Sequence, residues 1–139
     1  RKRKMSDKIF LDINIVLDMM DKSRKNHKKS LAVLEKTVMQ DMQICISEDM
    51  LSTIYYISDD KHYTLTFFQK IIQKWEILPF GKDVISNAID FCTQNGEDLE
   101  DALQCFSAKK IGCNIFLTSD KKFANCGISI FDYDKFLEP

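Results

Sequence analysis

The sequence predicts an α/β protein: a central, mostly parallel sheet of four or five strands with helices on both faces. Three observations predict it. Short apolar runs of strand length alternate with longer stretches whose apolar residues recur every three or four positions. The runs at residues 9–12 and 114–118 finish at or within two residues of an aspartate. No linker rich in Pro, Gly or Ser interrupts the chain, so the alternation is expected to build one domain over residues 5–139.

Taken in order, residues 9–12 are an apolar run closing on Asp12, a buried-strand pattern. A helix is predicted from about Asn14, carrying Val16, Leu17, Met19 and Met20, and polar residues 21–26 break it. Leu31, Leu34 and Val38 fall at i, i+3 and i+7 and predict the apolar face of a second helix. Residues 42–46 read as a strand, and Ser47 as the N-cap of a helix reaching Ile57. Leu65, Phe68, Ile71, Ile72 and Trp75 are expected to line the next helix, with Phe68 and Trp75 in the core. Residues 76–80 predict a short strand that Pro79 either ends or keeps at an edge. Val84, Ile85, Ala88, Ile89 and Cys92 form a stripe stopped at Asn95-Gly96. Leu99, Ala102, Leu103 and Phe106 form another, ending at Gly112, and residues 114–118 and 128–131 read as the last two strands.

Composition narrows the function classes. Hydrophobic residues make up 45% of the chain, enough for a core. Arg1, Lys2, Arg3 and Lys4 precede Met5 and are expected to derive from upstream translation rather than from the fold. Without them the chain has 16 basic and 21 acidic residues, a net charge of −5. That argues against a nucleic-acid binder working by bulk charge, and suits carboxylates that hold cations, with basic surface confined to one side. No apolar run approaches the ~20 residues of a membrane span, so a cytoplasmic protein without membrane contact is expected. The five cysteines, with no CxxC, are expected to be buried free thiols, and His27 and His62 lack the ligand-spaced partners of a zinc site.

Four aspartates carry the functional signal. In a parallel sheet the carboxyl ends of the strands share one rim, where ligands bind. Asp12 closes the first strand, and Asp120 stands two residues beyond residues 114–118. Asp98 and Asp101, three apart at a helix start, share a face. Each has a plainer reading: Asp12, Asp98 and Asp120 as helix caps, with Asp120 capping a short helix at residues 121–123, and Asp101 as a first-turn acid. Their convergence on one rim favours a carboxylate site for Mg²⁺ or Mn²⁺, suited to phosphodiester hydrolysis.

Several segments resemble one family. Asp12-Ile13-Asn14-Ile15-Val16-Leu17-Asp18 resembles the opening signature of the PIN domain, Ile54-Tyr55-Tyr56-Ile57 a common middle helix, and residues 115–120 a strand ending in an acid. Asp98-Leu99-Glu100-Asp101-Ala102-Leu103-Gln104 is very similar to a segment of one PIN subgroup, and residues 128–137 resemble the closing strand and helix. The resemblance spans residues 8–137 in the family's order. It implies a PIN-like three-layer α/β/α sandwich and a VapC-like toxin ribonuclease dependent on Mg²⁺ or Mn²⁺. Asp12, Asp101 and Asp120 would be catalytic and would bind metal, with Asp98 as a further metal-binding acid and Asn14 and Thr118 as hydrogen-bonding supports. RNA would be the substrate, a small antitoxin the partner, and a homodimer the implied assembly. Two positions depart from the pattern. Ile13 replaces a threonine, and Thr53 stands where the family has its second acid, Glu48 and Asp49 lying four to five residues earlier. Either one of those acids substitutes, or the site has one carboxylate fewer.

Two other readings compete. A PIN-like interaction module with weak or no nuclease activity would keep the fold, and Thr53 is its best support. A phosphatase built on Asp12 would need a second aspartate two residues on, where Asn14 stands. The basic residues 24–29 and Lys109-Lys110 offer RNA contact, against the plainer reading of a solvated face.

Overall fold

A computed structural model describes residues 7–123 and 125–139, so Arg1–Lys4 and Met5 lie outside the described residues. Five strands form one sheet: β1 (Lys8–Leu11), β2 (Gln43–Ser47), β3 (Glu76–Leu78), β4 (Ile115–Leu117) and β5 (Ser129–Phe131). Their order is β3-β2-β1-β4-β5 and every pairing is parallel, a stricter arrangement than the mostly parallel sheet expected. Parallel strands need crossovers, and from β1 to β4 these are supplied by α1 (Ile13–Met20), α2 (His27–Met39), α3 (Asp49–Ile57), α4 (Lys61–Ile71), α5 (Gly81–Asn95) and α6 (Leu99–Lys110), with a loop joining β4 to β5 and α7 (Tyr133–Leu137) following β5.

The core follows from the unbroken apolar runs. Ile9, Phe10, Leu11, Cys45 and Ile46 are fully buried, so both faces of β1 and β2 are covered. Phe10 pairs with Phe116 in the register of β1 and β4, and their rings stack 4.9 Å apart. Strand order reverses between β1 and β4: the chain winds outward through β2 and β3, then crosses back to β4. The loops after β1 and β4 therefore part at a topological switch point, where open α/β sheets bind ligands.

Pro79 follows β3, which is an edge strand, and Gly96 closes α5 at φ 66°, both as the sequence predicts. Other details differ. In α2 the buried residues are Ser30, Val33 and Thr37, while Leu31 is exposed and Val38 is 80% exposed. The hydroxyls of Ser30 and Thr37 donate to the carbonyls of His27 and Leu34, so those small polar side chains enter the interior already paired. Leu65 and Ile72 of the expected α4 stripe are exposed, as are Ile85 and Ile89 of α5 and Leu99 of α6. Ser47 belongs to β2 rather than capping α3, whose N-cap position is Glu48. Residues 121–123 make a turn instead of a short helix.

The expectation of free thiols fails for two cysteines. Cys105 of α6 and Cys126 of the loop before β5, 21 residues apart, form a disulfide. Only the packing of that loop against α6 brings them together. Cys45 and Cys113 are buried thiols and Cys92 is half-buried.

Candidate active site

The four aspartates assemble at the carboxyl rim. Asp12 is the first residue past β1 and is only 6% exposed. One of its carboxylate oxygens accepts the Ile13 N–H at 2.7 Å, capping α1, and the other accepts the Thr118 hydroxyl at 2.7 Å. Thr118, past the end of β4, also accepts the Asp120 N–H through the same hydroxyl oxygen at 3.0 Å. One buried side chain thus ties the β1 end to the β4 end. Asp120 is exposed and accepts the Lys122 N–H at 2.9 Å, which shapes the turn expected as a helix.

Asp98 caps α6 by accepting the Asp101 N–H at 3.1 Å. The plain and functional readings of Asp98 are compatible, because the cap orients the turn from which Asp101 projects. Burial pushes the Asp101 carboxyl up to about 6, and the charges of Asp98, Asp12, Asp120 and Glu100 add to that push. Burial also raises Asp12, opposed by the Thr118 and Ile13 hydrogen bonds and reinforced by Asp120. The mutual repulsion shows that carboxylates from three elements share one field.

Two further acids join them. Burial raises Glu100, and the charges of Asp49, Asp98 and Asp12 raise it further. Sequence reasoning passed over Glu100, although its place between Asp98 and Asp101 in the first turn of α6 was a usable signal. Of the residues offered for the second-acid position, Asp49 is the one whose charge reaches the cluster. It is half-buried at the start of α3 and accepts the Ser47 hydroxyl. Thr53 is exposed, and its hydroxyl donates to the Asp49 carbonyl at 3.2 Å. Glu48 is exposed beside them, with its N–H donating to the Leu78 carbonyl. Of the two expected supports, Thr118 donates to Asp12, whereas Asn14 is exposed in the first turn of α1.

The donor set suits a hard cation. Among the described residues, no lysine, arginine or histidine forms an ion pair with Asp12, Asp49, Asp98, Glu100, Asp101 or Asp120. Among the same residues, no three carboxylates close into a ready-made metal cage. An ion such as Mg²⁺ tolerates that openness, because it keeps several waters and takes only one or two carboxylates plus substrate oxygens.

Known proteins share this fold. The model of the PIN domain family matches residues 9–128. The chain is 34% identical to Ribonuclease VapC1 of Aquifex aeolicus (strain VF5), over 96% of its own length and 95% of the relative's. Among solved structures it resembles VapBC2 from Rickettsia felis bound to a promoter DNA fragment, at TM-score 0.71 and 18% identity over 90% of this chain and 98% of that one. It also resembles VapC20 of Mycobacterium tuberculosis, a toxin cleaving the sarcin-ricin loop, at TM-score 0.71 and 12% identity over 86% and 95% of the two chains. A parallel sheet with acids gathered at its switch point, and a family match running through nearly all of it, lead to one conclusion: this chain belongs to the PIN domain family.

Proposed function

We propose that this chain is a divalent-metal-dependent endoribonuclease, the toxin half of a toxin–antitoxin pair, acting as one domain over residues 5–139. The observation that carries the reading is that the Thr118 hydroxyl ties the buried Asp12 at the end of β1 to Asp120 beyond β4, with no cation among the described residues paired to these acids or to Asp98 and Asp101. The identity to Ribonuclease VapC1 supports RNA as the substrate.

Asp12, Asp98, Asp101 and Asp120 would hold the ion, Mg²⁺ or Mn²⁺, with Glu100 and Asp49 beside them. Such an ion supplies charge neutralisation at the phosphoryl oxygens and acidifies the attacking water. The chain's own part is positioning. Thr118 and the Ile13 N–H keep Asp12 in a single orientation, and Asp98 sets the first turn of α6 beneath Asp101. An antitoxin that covers the rim, a homodimer and a cytoplasmic setting belong to the same reading. No helix among the described residues is long and apolar enough to cross a membrane.

The test is Asp101→Asn. RNA cleavage with Mn²⁺ is expected to fall by about 100-fold or more while the circular-dichroism spectrum is kept, since loss of even an outer supporting group costs 10–100-fold. Full activity in a folded variant would sink the assignment. The interaction-module reading draws on Thr53, and it would be favoured if calorimetry of the wild type detected no Mn²⁺ binding at millimolar metal.

A further inference from the structure

The basic run at residues 24–29 divides in the fold. Arg24 Nε donates to Asp18 at 2.7 Å, and the His27 ring meets the Asp18 carbonyl at 2.7 Å. These contacts turn Arg24 and His27 inward and fix the loop between α1 and α2. Lys25, Asn26 and Lys29 instead line a groove of about 880 Å³, with Lys121 and Asn125 also in its wall. The groove includes Thr118 and Asp120, so it opens from the candidate active site at the end of β4.

We propose that this groove grips single-stranded RNA on one side of the scissile phosphodiester, with Lys25, Lys29 and Lys121 meeting the flanking phosphates. The proposal rests on the ribonuclease reading. Its argument is an asymmetry of charge around the site. On the α3 and α6 side stand Asp49, Glu97, Asp98 and Glu100, which repel a polyanion. On the other side stand the three lysines against two aspartates, Asp134 paired with Lys29 and Asp132 capping the N-terminus of α7, so that among the described residues Lys25 and Lys121 are the unpaired charges there. In a chain with more acidic than basic residues, RNA has to be held by such a local patch rather than by bulk charge.

The lysines are available for it. Among the described residues Lys25 and Lys121 enter no ion pair, and the Lys29–Asp134 pair at 3.0 Å is solvent-exposed and weak enough to exchange for a phosphate. Asp132 accepts the Lys135 N–H at the start of α7, where the helix N-terminus offsets part of its charge, and Phe123 is packed on Phe116 at 4.3 Å. The amides of Asn26 and Asn125 supply polar groups suited to ribose or base edges. A wide groove lined by lysines and amides suits a strand's backbone better than a small apolar ligand.

The experiment compares Lys25→Gln/Lys121→Gln with a control of equal charge change, Lys70→Gln/Lys74→Gln, whose lysines lie in a separate depression beside Met42 and Trp75. Binding of a fluorescent single-stranded oligoribonucleotide is followed by anisotropy in chelator, where a metal-dependent enzyme cannot cut, across a salt series. The groove variant is expected to bind several-fold more weakly, and its slope of log affinity against log salt is expected to shrink by about 1.4, the share of two phosphate contacts on a single strand. With Mn²⁺ its KM should rise by the same factor with kcat kept. Nucleotides added on one side of the cleavage point should tighten binding, and those added on the other should not. Equal weakening in the control, unchanged affinity in the groove variant, or no wild-type binding at low salt would each overturn the groove. Groove-dependent binding by a wild type that cuts no RNA with Mn²⁺ would support the groove while refuting the ribonuclease reading.

Discussion

Two buried aspartates, Asp12 and Asp18, lie six residues apart at the two ends of α1 and are treated in opposite ways. Asp18, 4% exposed, has every need met: Arg24 donates to one oxygen at 2.7 Å and the Tyr133 hydroxyl to the other at 2.7 Å. Asp12 is just as buried but receives only a hydroxyl and a backbone N–H, and it faces further acids instead of a cation. Burying a charge costs several kcal/mol unless it is paired. The first region meets that cost within the fold and locks α1 to the segment that begins α7. The second has no counter-charge among the described residues, and the charge of Asp12 adds to the burial that raises Asp101 and Glu100. Asp18 serves structure and comes with its counter-charge; Asp12 has none, as the proposed metal site requires.

The largest expected effect breaks the first region. Asp18→Ala leaves the Arg24 guanidinium and the Tyr133 hydroxyl without their acceptor, and a loss of about 3–5 kcal/mol is expected. Asp12→Asn removes a charge already disfavoured by burial and should leave stability at pH 7 unchanged or raised while cleavage is lost. Urea denaturation of both variants checks the contrast. Equal destabilisation would erase the distinction between the two aspartates.

Next comes the Cys105–Cys126 link, which ties the helix bearing Asp101 to the loop that follows Asp120. Closing a loop of 21 residues is worth about 3 kcal/mol in the chain-entropy account. Thermal melts with and without reductant should separate accordingly, and Cys126→Ser should make the melt insensitive to reductant. An oxidised wild type that melts at the same temperature as the reduced one would contradict this.

A smaller effect is electrostatic. Asp101 in the folded chain stands at about 6, above its ordinary 3.8. The folded state therefore holds a proton that the unfolded state has released between about pH 4 and 6, and metal-free stability falls as pH rises through that window. Asp101→Asn should remove this slope and be more stable at pH 7 by about 1 kcal/mol, a figure already reduced for solvent screening at a half-exposed group. The gain should shrink as pH falls and vanish below about pH 3, where the carboxyl is protonated in the folded and the unfolded chain alike. Saturating Mn²⁺ should reverse the order by stabilising only the wild type. A wild type whose stability is flat from pH 4 to 7 would show that the acids do not share a field.

The smallest concerns the cap. Asp98→Ala removes the acceptor of the Asp101 N–H, costing about 1 kcal/mol, partly offset because one neighbouring charge disappears. A net change within about 1 kcal/mol is expected, together with weaker Mn²⁺ binding by calorimetry.

Much of this was legible in the residues because it is local. Strands such as Ile9-Phe10-Leu11 are unbroken apolar runs, and a strand buried on both faces can be nothing else. Asp12 follows one such strand directly, and parallel pairing puts its rim beside that of β4. Helix faces were less legible. Val38 sits at a helical spacing yet faces solvent, while Ser30 and Thr37 are inside, because a hydroxyl that can reach its own helix carbonyl enters a core at little cost. At the second-acid position the sequence set Thr53, with Glu48 and Asp49 four to five residues earlier as acids either of which could substitute. Only the position of α3 against α6 brings the charge of Asp49 to Glu100 and leaves Thr53 facing outward.

By itself, then, the sequence determined the alternation of strands and helices, the strand-end placement of Asp12 and Asp120, and the pairing of Asp98 with Asp101 on one helical turn. All are set by spacings of a few residues, which the backbone's own periodicities enforce. Tertiary structure alone decided which cysteines join, that the charge of Asp49 reaches Glu100, and that Arg24 turns in to Asp18 while Lys25 turns out to the groove. Those outcomes depend on contacts between residues distant in the chain or on which side of a loop finds a buried charge, and no spacing in the chain encodes them until the sheet has closed.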